Sequence, residues 1–350
     1  MGRESGGRPV AAMTPMTYAE AVNDALRQEM RRDERVVVLG EDVAAYGGIF
    51  GATKGLLDEF GPRRVVDTPI SENGIVGAAI GMAMAGLRPV VEIMYSDFLC
   101  LALDSLANAA GVYPFVSHGK VGVPLVVRTQ GGPGGGAGPQ HSKSLEQWTA
   151  HLPGLHTVMP SDAADAKGLL TAAIRSDDPV VLFEHKGLYA SEDLVPEGEH
   201  VTPLGTARVL HHGSDVTIIA MAGMVRYALD AAASLSTAGV HAEVVDVRSL
   251  RPLDTETLVA SARKTGRVVV AAETWLRYGP TAEIAAVIAE EAFEDLHAPV
   301  ARVGALAVPY PASPHLESAV LRGGDHIVRA AQRLMATRRA RARVPAREHT

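Results

Sequence analysis

The sequence predicts an α/β protein in two parts: a larger domain built on a parallel sheet with helices on both faces, and a smaller C-terminal α/β domain. Three observations carry this. Short β-branched runs alternate with segments of helical spacing along most of the chain, the order that parallel strands joined by helical crossovers require. At 350 residues the chain is long enough for two cores of ordinary size. An acidic, Pro- and Gly-bearing stretch, SEDLVPEGEHVTPLG at 191–205, breaks the pattern and reads as a linker.

The elements follow in order. After a Gly/Arg-rich dozen, 1–12, expected to be disordered, Ala21, Ala25 and Met30 mark a helix over 17–30, and 36–39 is a short buried strand. Gly40, Gly47, Gly48 and Gly51 make a long loop, 65–67 is a second strand, and a helix spans 72–85 with Ser71 at its N-cap. Gly74, Gly77, Ala78, Ala79, Gly81, Ala83 and Ala85 leave that helix almost without side-chain bulk. Each interior Gly costs up to ~1 kcal/mol relative to Ala, so the expectation is a buried helix that lets another backbone approach closely. Strands at 89–94 and 124–129 flank a helix at 98–110; a glycine loop, GGPGGGAG at 131–138, precedes an amphipathic helix at 162–174 and a strand at 179–183. Residues 13–190 form the first domain and 206–336 the second. The second has strands at 216–220, 243–247 and 267–271, helices at 227–238 and 254–265, and a last helix at 281–294. The end, 337–350, holds five Arg without apolar period and reads as a disordered basic tail.

Composition narrows the function. A formal charge of −7 offers no general attraction to nucleic acid or anionic lipid. The longest apolar region, 78–94, is broken by Arg88 and Pro89, short of the roughly 20 residues of a membrane span, so no membrane is expected. The single Cys100 excludes an internal disulfide and a multi-Cys metal site and fits a reducing compartment, taken as the cytoplasm.

Three groups of residues could carry chemistry. His141, in Pro139-Gln140-His141-Ser142, ends the glycine loop and is the residue type best able to exchange a proton near neutral pH; a lone His among thirteen is more often a bystander. Glu72 opens the small-residue helix, where a carboxylate favours the helix dipole by ~0.3–1 kcal/mol, but its uncharged neighbours predict burial, and a buried carboxyl needs a partner. Glu41 and Asp42 leave the first strand at its carboxyl end, where open parallel sheets bind ligands; ordinary loop acids fit Asp42 as well. The glycine loop lacks the Gly-Lys-Ser/Thr ending of a phosphate loop and the dinucleotide spacing, which leaves a plain flexible loop or an active-site wall.

Taken together, GEDV at 40–43, DTPISENGIVG at 67–77, GLRPVVE at 86–92, PQHSKSLEQW at 139–148, PGL at 153–155 with VMPSDAADAKGLL at 158–170 and AAIRSDDPV at 172–180, and VPYPASPHLE at 308–317 resemble one family. It is the β subunit family of the thiamine diphosphate-dependent pyruvate, branched-chain 2-oxo acid and acetoin dehydrogenases, and the resemblance spans about residues 15–335. It implies a transketolase-like fold whose first domain holds the aminopyrimidine of the cofactor. It also implies an α subunit that holds the diphosphate and Mg2+, and an α2β2 heterotetramer. Further implied partners are a small-molecule substrate and a dihydrolipoyl acyltransferase component whose lipoyl domain accepts the acyl unit. Consistent with this division, the chain has no Gly-Asp-Gly followed by an Asn pair.

By the same resemblance, Glu72 hydrogen-bonds the 1′ nitrogen of the pyrimidine and so promotes loss of the thiazolium proton. Phe98 packs on the pyrimidine face, where an apolar helix anchor is the plainer reading. Glu41 lies near the pyrimidine, and His141 handles the bound intermediate or the incoming lipoyl group. Leu125, Ala173, Ile174 and Asp178 match a potassium set, although Ser176 stands where the family often has Asp. Lys143 and Ser105 each replace a common Gln, and RTQGG at 128–132 looks more like the acetoin-cleaving branch than the pyruvate branch. A carboligase or acyl-transfer subunit of specialised metabolism, and a noncatalytic assembly subunit, are the alternative functions.

Overall fold

The computed structural model describes residues 12–337; the expected disordered ends lie outside them, apart from Ala12 and Thr337. The first half contains β1 (Met13–Thr17), α1 (Tyr18–Arg32), β2 (Val36–Gly40), α2 (Leu56–Phe60), β3 (Val65–Asp67), α3 (Glu72–Met84), β4 (Arg88–Ile93), α4 (Leu99–Ser105), α5 (Tyr113–Val116), β5 (Val126–Gly131), α6 (Glu146–Ala150), β6 (His156–Val158), α7 (Ala163–Arg175), β7 (Val180–His185) and β8 (Glu192–Pro196). The second contains β9 (Arg208–His211), β10 (Val216–Ala220), α8 (Met224–Thr237), β11 (Ala242–Asp246), β12 (Ser249–Arg251), α9 (Thr255–Thr265), β13 (Val268–Trp275), α10 (Pro280–Glu291), β14 (Ala301–Ala305), α11 (Pro314–Leu321) and α12 (Gly324–Ala336).

Alternation along the strands explains why both faces of the main sheet are covered. In β2, Val36 and Val38 enter one apolar cluster while Val37 and Leu39 enter another, because successive side chains of a strand point to opposite faces. β7 divides the same way, Val180 and Leu182 against Val181 and Phe183. The sheet runs β12-β6-β7-β5-β4-β2-β3, with every pair parallel except β12 against β6. β10, β11, β13 and β14 form the parallel part of a second sheet, ordered β14-β13-β10-β11-β9. The cluster that takes Leu39, Val91 and Phe183 continues into Ile219, Val245, Val270 and Ile284, so the two sheets are joined by shared apolar packing. β12 tightens the joint by adding a strand from the second half to the edge of the first sheet.

Side-chain caps set several helix starts. Thr17 and Glu20 form a reciprocal capping box at α1, with Glu20 accepting from the Thr17 amide at 2.8 Å. Asp162 caps α7 and Asp254 caps α9, accepting from Asp165 N at 2.7 Å and Thr257 N at 3.0 Å. Ser71 occupies the N-cap position of α3, but its side chain makes no capping bond.

Several expectations need correction. The linker at 191–205 contains β8, which pairs antiparallel with β1; the local sequence looks like a loop because only Val195 is buried. The helix at 281–294 is followed by α11 and α12, and α12 packs Ile327, Ala330, Ala331 and Leu334 at helical spacing. Within this chain α3 buries Ile75, Val76, Ala79, Ile80 and Ala83, whereas Gly74, Gly77, Ala78 and Gly81, the small residues expected to let another backbone approach, form an exposed stripe. The helix expected at 98–110 belongs to a longer helical run, Ser96 to Val116, that at a mean hydropathy of 1.4 is long and apolar enough by composition to cross a membrane, so 78–94 is not the region that comes nearest to a span. In the structure its Leu99, Ala102, Leu106 and Ala110 join the same apolar cluster as α3.

Candidate active site

The main sheet gathers four of the expected residues at the carboxyl ends of its strands, where a parallel sheet changes winding direction and opens a crevice. β2 and β4 are neighbours, yet the chain leaves β2 toward β3 on one side and returns to β4 on the other. Gly40 ends β2 at a point where a Cβ would lie 2.7 Å from Glu92 O, so the chain passes close to β4 before reaching Glu41. β3 ends at Asp67, whose carboxylate accepts from Ala44 N at 2.7 Å and Ala45 N at 3.2 Å and fixes the loop after Glu41. Beyond β3, α3 begins at Glu72.

Glu72 is 7% exposed. Among the described residues its carboxylate has no hydrogen-bond or ion-pair partner, and its oxygens are not among the fully enclosed polar atoms, so solvent or a ligand can reach them. Glu41 is close enough to feel it: burial first, then Glu72 and Asp42, hold the Glu41 carboxyl above the usual carboxylate range. Two acids thus lie near one another, and neither has a hydrogen-bond donor among the described residues.

Aromatic rings form a second cluster after β2, β4 and β7. Phe50 stacks on Tyr189 at 4.4 Å and meets Tyr95 edge-on at 5.9 Å. His141 lies edge-on to both Tyr95, at 4.7 Å, and Phe98, at 5.5 Å. Phe98 is half-buried just before α4, and His141 is half-buried at the end of the glycine loop. The structure therefore brings His141 and Phe98 together, and puts Glu41 beside Glu72.

Beneath these rings lies a buried charge network. Arg128 on β5 is fully enclosed, donating to Glu184 at 2.6 and 2.8 Å and to Glu92 at 2.8 Å. Burial works against its charge, but Glu184 and Glu92 outweigh burial and hold the guanidinium ionised. Tyr189 donates to Glu184, which ties the network to the ring that carries Phe50.

Sequence reasoning missed four residues around the His141 loop. Lys186, just after β7, donates through Nζ to His141 O and, at 3.1 Å, to Ser142 Oγ. Burial lowers its ammonium from the ordinary value, with Glu317, Asp97 and Glu273 opposing. Asp97 takes an ion pair from Lys143 at 2.6 Å, and Ser96 Oγ donates to Lys143 O at 2.8 Å. Lys143, noted above as a departure from the family, is thus a strut under the loop. Tyr95 had a readable signal, an aromatic at the exit of a strand; Lys186 and Asp97 reach the loop only through the neighbour relations of β4, β5 and β7.

Each carbonyl of the expected potassium set already accepts one hydrogen bond. Leu125 O accepts from Val180 N at 2.8 Å, Ala173 O from Ser176 N at 3.1 Å, and Asp178 O from Ser176 Oγ at 3.1 Å. Ile174 O accepts from Arg88 Nε at 2.8 Å, so a guanidinium already supplies positive charge there. The Asp178 side chain is exposed instead and lines a cleft of about 250 Å³ with His156 and Arg251. Among the described residues no group of three or more His, Cys, Asp or Glu side chains is placed to hold a metal ion.

Comparison with known proteins gives a consistent result. Residues 14–192 match the model of the transketolase pyrimidine binding domain, and 205–327 that of the transketolase C-terminal domain. The chain is 45% identical to the mitochondrial pyruvate dehydrogenase E1 component subunit beta-2 of Oryza sativa subsp. japonica, covering 92% of this chain and 87% of that one. It is 44% identical to the acetoin:2,6-dichlorophenolindophenol oxidoreductase subunit beta of Bacillus subtilis (strain 168), covering 89% and 95%. Among solved structures, a split gene transketolase described as an inactive β4 tetramer matches with a TM-score of 0.75 at 26% identity, covering 93% of this chain and 99% of that one.

Proposed function

The chain belongs to the β-subunit family of thiamine diphosphate-dependent 2-oxo acid and acetoin dehydrogenases and works with an α subunit, and from this premise we propose how its residues divide the chemistry. Bound thiamine diphosphate supplies a thiazolium carbon nucleophile that attacks the substrate carbonyl. Glu72 holds the proton shared between its carboxyl oxygen and the 1′ nitrogen of the aminopyrimidine. The observation that carries this is a side chain only 7% exposed with no donor or cation on its carboxylate among the described residues, which leaves room for a ligand nitrogen to complete it. Phe98 offers a ring face to the pyrimidine, and Glu41, whose carboxyl is held above its usual range next to Glu72, exchanges protons with the same pocket. His141 stands at the aromatic wall, where an incoming acceptor meets the bound acyl unit.

The residues fit the pyrimidine half of the cofactor and not the diphosphate half. Among the described residues no group of three or more His, Cys, Asp or Glu is placed to hold a metal ion, and we assign the diphosphate and its Mg2+ to the α subunit. The exposed stripe Gly74, Gly77, Ala78 and Gly81 suits close approach of another subunit, in keeping with an α2β2 assembly. The substrate is a 2-oxo acid or acetoin, and the acyl unit passes to a lipoyl group carried by an acyltransferase component. Relatives named for pyruvate and for acetoin stand at 45% and 44% identity, so identity does not choose between them; RTQGG at 128–132 favours acetoin. We place the enzyme in the cytoplasm on the strength of its single, unpaired Cys100, while noting that several relatives are mitochondrial by name.

Mixing the chain with its α subunit tests the division of labour. Calorimetric titration with thiamine diphosphate and Mg2+ is expected to show binding to the mixture and none to this chain alone. The solved neighbour described as an inactive β4 tetramer is a precedent for a lone chain of this fold without activity. Equal cofactor affinity for the lone chain and the mixture would overturn the proposal.

A further inference from the structure

The segment that carries His141 has almost no side chains with which to anchor itself. Gly132, Gly134, Gly135, Gly136 and Gly138 all have positive φ, so the loop adopts a path that other residues rarely follow. Its glycine end is held from outside, by the second domain. Glu317, on α11, is 6% exposed, and its two carboxylate oxygens accept from Gly134 N at 2.9 Å and Gly136 N at 3.4 Å. The loop also fits closely against the chain just before α11: a Cβ on Gly136 would lie 2.6 Å from Ala312 O. That chain is itself held to β13, where Tyr310 donates to Glu273 O at 2.7 Å and Trp275 Nε1 donates to Val308 O at 2.9 Å. At the far end of the loop Lys186 grips His141 O and Ser142 Oγ.

We propose that Glu317 is a positioning residue for the reaction: by clamping the amides of Gly134 and Gly136 it holds the glycine loop against the second domain and so presents the His141 imidazole at the aromatic wall. This rests on His141 acting at the site, as proposed above. A charged acceptor is suited to the task because bonds from backbone N–H to a carboxylate are stronger than those to a neutral oxygen, and a loop of glycines offers only its backbone. The VPYPASPHLE stretch thereby acquires a use in which its Tyr310 end is fastened to the sheet and its Glu317 end reaches across to the loop.

The test uses the assembled αβ enzyme with a lipoyl domain as acceptor and compares Glu317→Ala, Glu317→Gln, His141→Ala and the Ala/Ala double variant. Glu317→Ala is expected to lower the rate of lipoyl acylation about 10-fold, within the range that a small misplacement of a reacting group costs. Glu317→Gln, which keeps one acceptor oxygen, is expected to fall between Glu317→Ala and wild type. In the His141→Ala background, removing Glu317 is expected to change the rate less than about twofold, because a residue that acts through His141 has nothing left to position. Hydrogen exchange at 132–138 is expected to rise in Glu317→Ala with β13 and α12 unchanged. A full loss in both backgrounds, a wild-type rate in Glu317→Ala, or unchanged loop exchange would each overturn the role of Glu317 while leaving His141 in place. A wild-type rate for His141→Ala would instead remove the reading on which the proposal rests, and the proposal with it.

Discussion

Glu146 gives the joint between the two domains a pH dependence whose sign and size follow from its surroundings. It opens α6 with its side chain buried and one carboxylate oxygen without a hydrogen-bond partner. Burial, with Glu273 adding to it and the backbone amide and His185 opposing, pushes the carboxyl up to about 7. From about pH 4.5 to 7 the native chain therefore keeps a proton that the unfolded chain has released. Stability is highest below the unfolded value and is lost as pH rises through the folded one, by up to ~1.4 kcal/mol per pH unit and on the order of 3 kcal/mol in all. Asp246, pushed up to about 7 chiefly by burial, adds a second contribution of the same sign. Glu146→Gln removes the first contribution alone. Urea unfolding of the purified chain from pH 5 to 8 checks this. The variant should gain on wild type steadily with rising pH and lead by a few kcal/mol at pH 8. Two curves that run parallel within about 0.5 kcal/mol would refute the reasoning.

Three further outcomes are expected. Arg128→Met strands Glu92 and Glu184 inside the sheet, both held there at present by the guanidinium, and should cost about 3–5 kcal/mol in the same unfolding measurement; a loss below about 1 kcal/mol would contradict it. Gly154→Ala has φ +79 and a Cβ 2.1 Å from Gly111 O, while Gly239→Ala has φ +76 and open space. The second should cost only the ~1–2 kcal/mol of a left-handed residue and the first clearly more, and equal thermal melting of the two would refute the contact argument. Phe98→Ala should weaken thiamine diphosphate binding to the assembled enzyme by about 10-fold, the scale of a lost aromatic contact, with unchanged affinity counting against the assignment.

The strands were readable because β2, β4, β7 and β10 are short β-branched runs buried on both faces, a pattern that local composition reports directly. Glu72 was readable for a related reason, since a carboxylate beside a bare helix has few ways to stay in water. Other parts were legible but passed over: α12 carries Ile327, Ala330, Ala331 and Leu334 on one face. Lys186 and Glu317 belong to a different class. The first reaches the His141 loop because β5 lies beside β7 with Gly131 opposite His185, and the second because the second domain folds against that edge. Neither relation is local, and strand order in a parallel sheet leaves no trace in the spacing of a single segment. The exposed face of α3 marks the same limit from another side, since nothing within this chain covers it.

The most direct measurement of the account is the exchange of the thiazolium C2 proton with deuterated water, followed by NMR in the assembled enzyme for wild type and Glu72→Gln. A carboxyl that shares its proton with the pyrimidine nitrogen predicts a fall of at least ~10²-fold in the variant, with cofactor still bound. The same exchange rate in both proteins would show that Glu72 has no part in activating the cofactor.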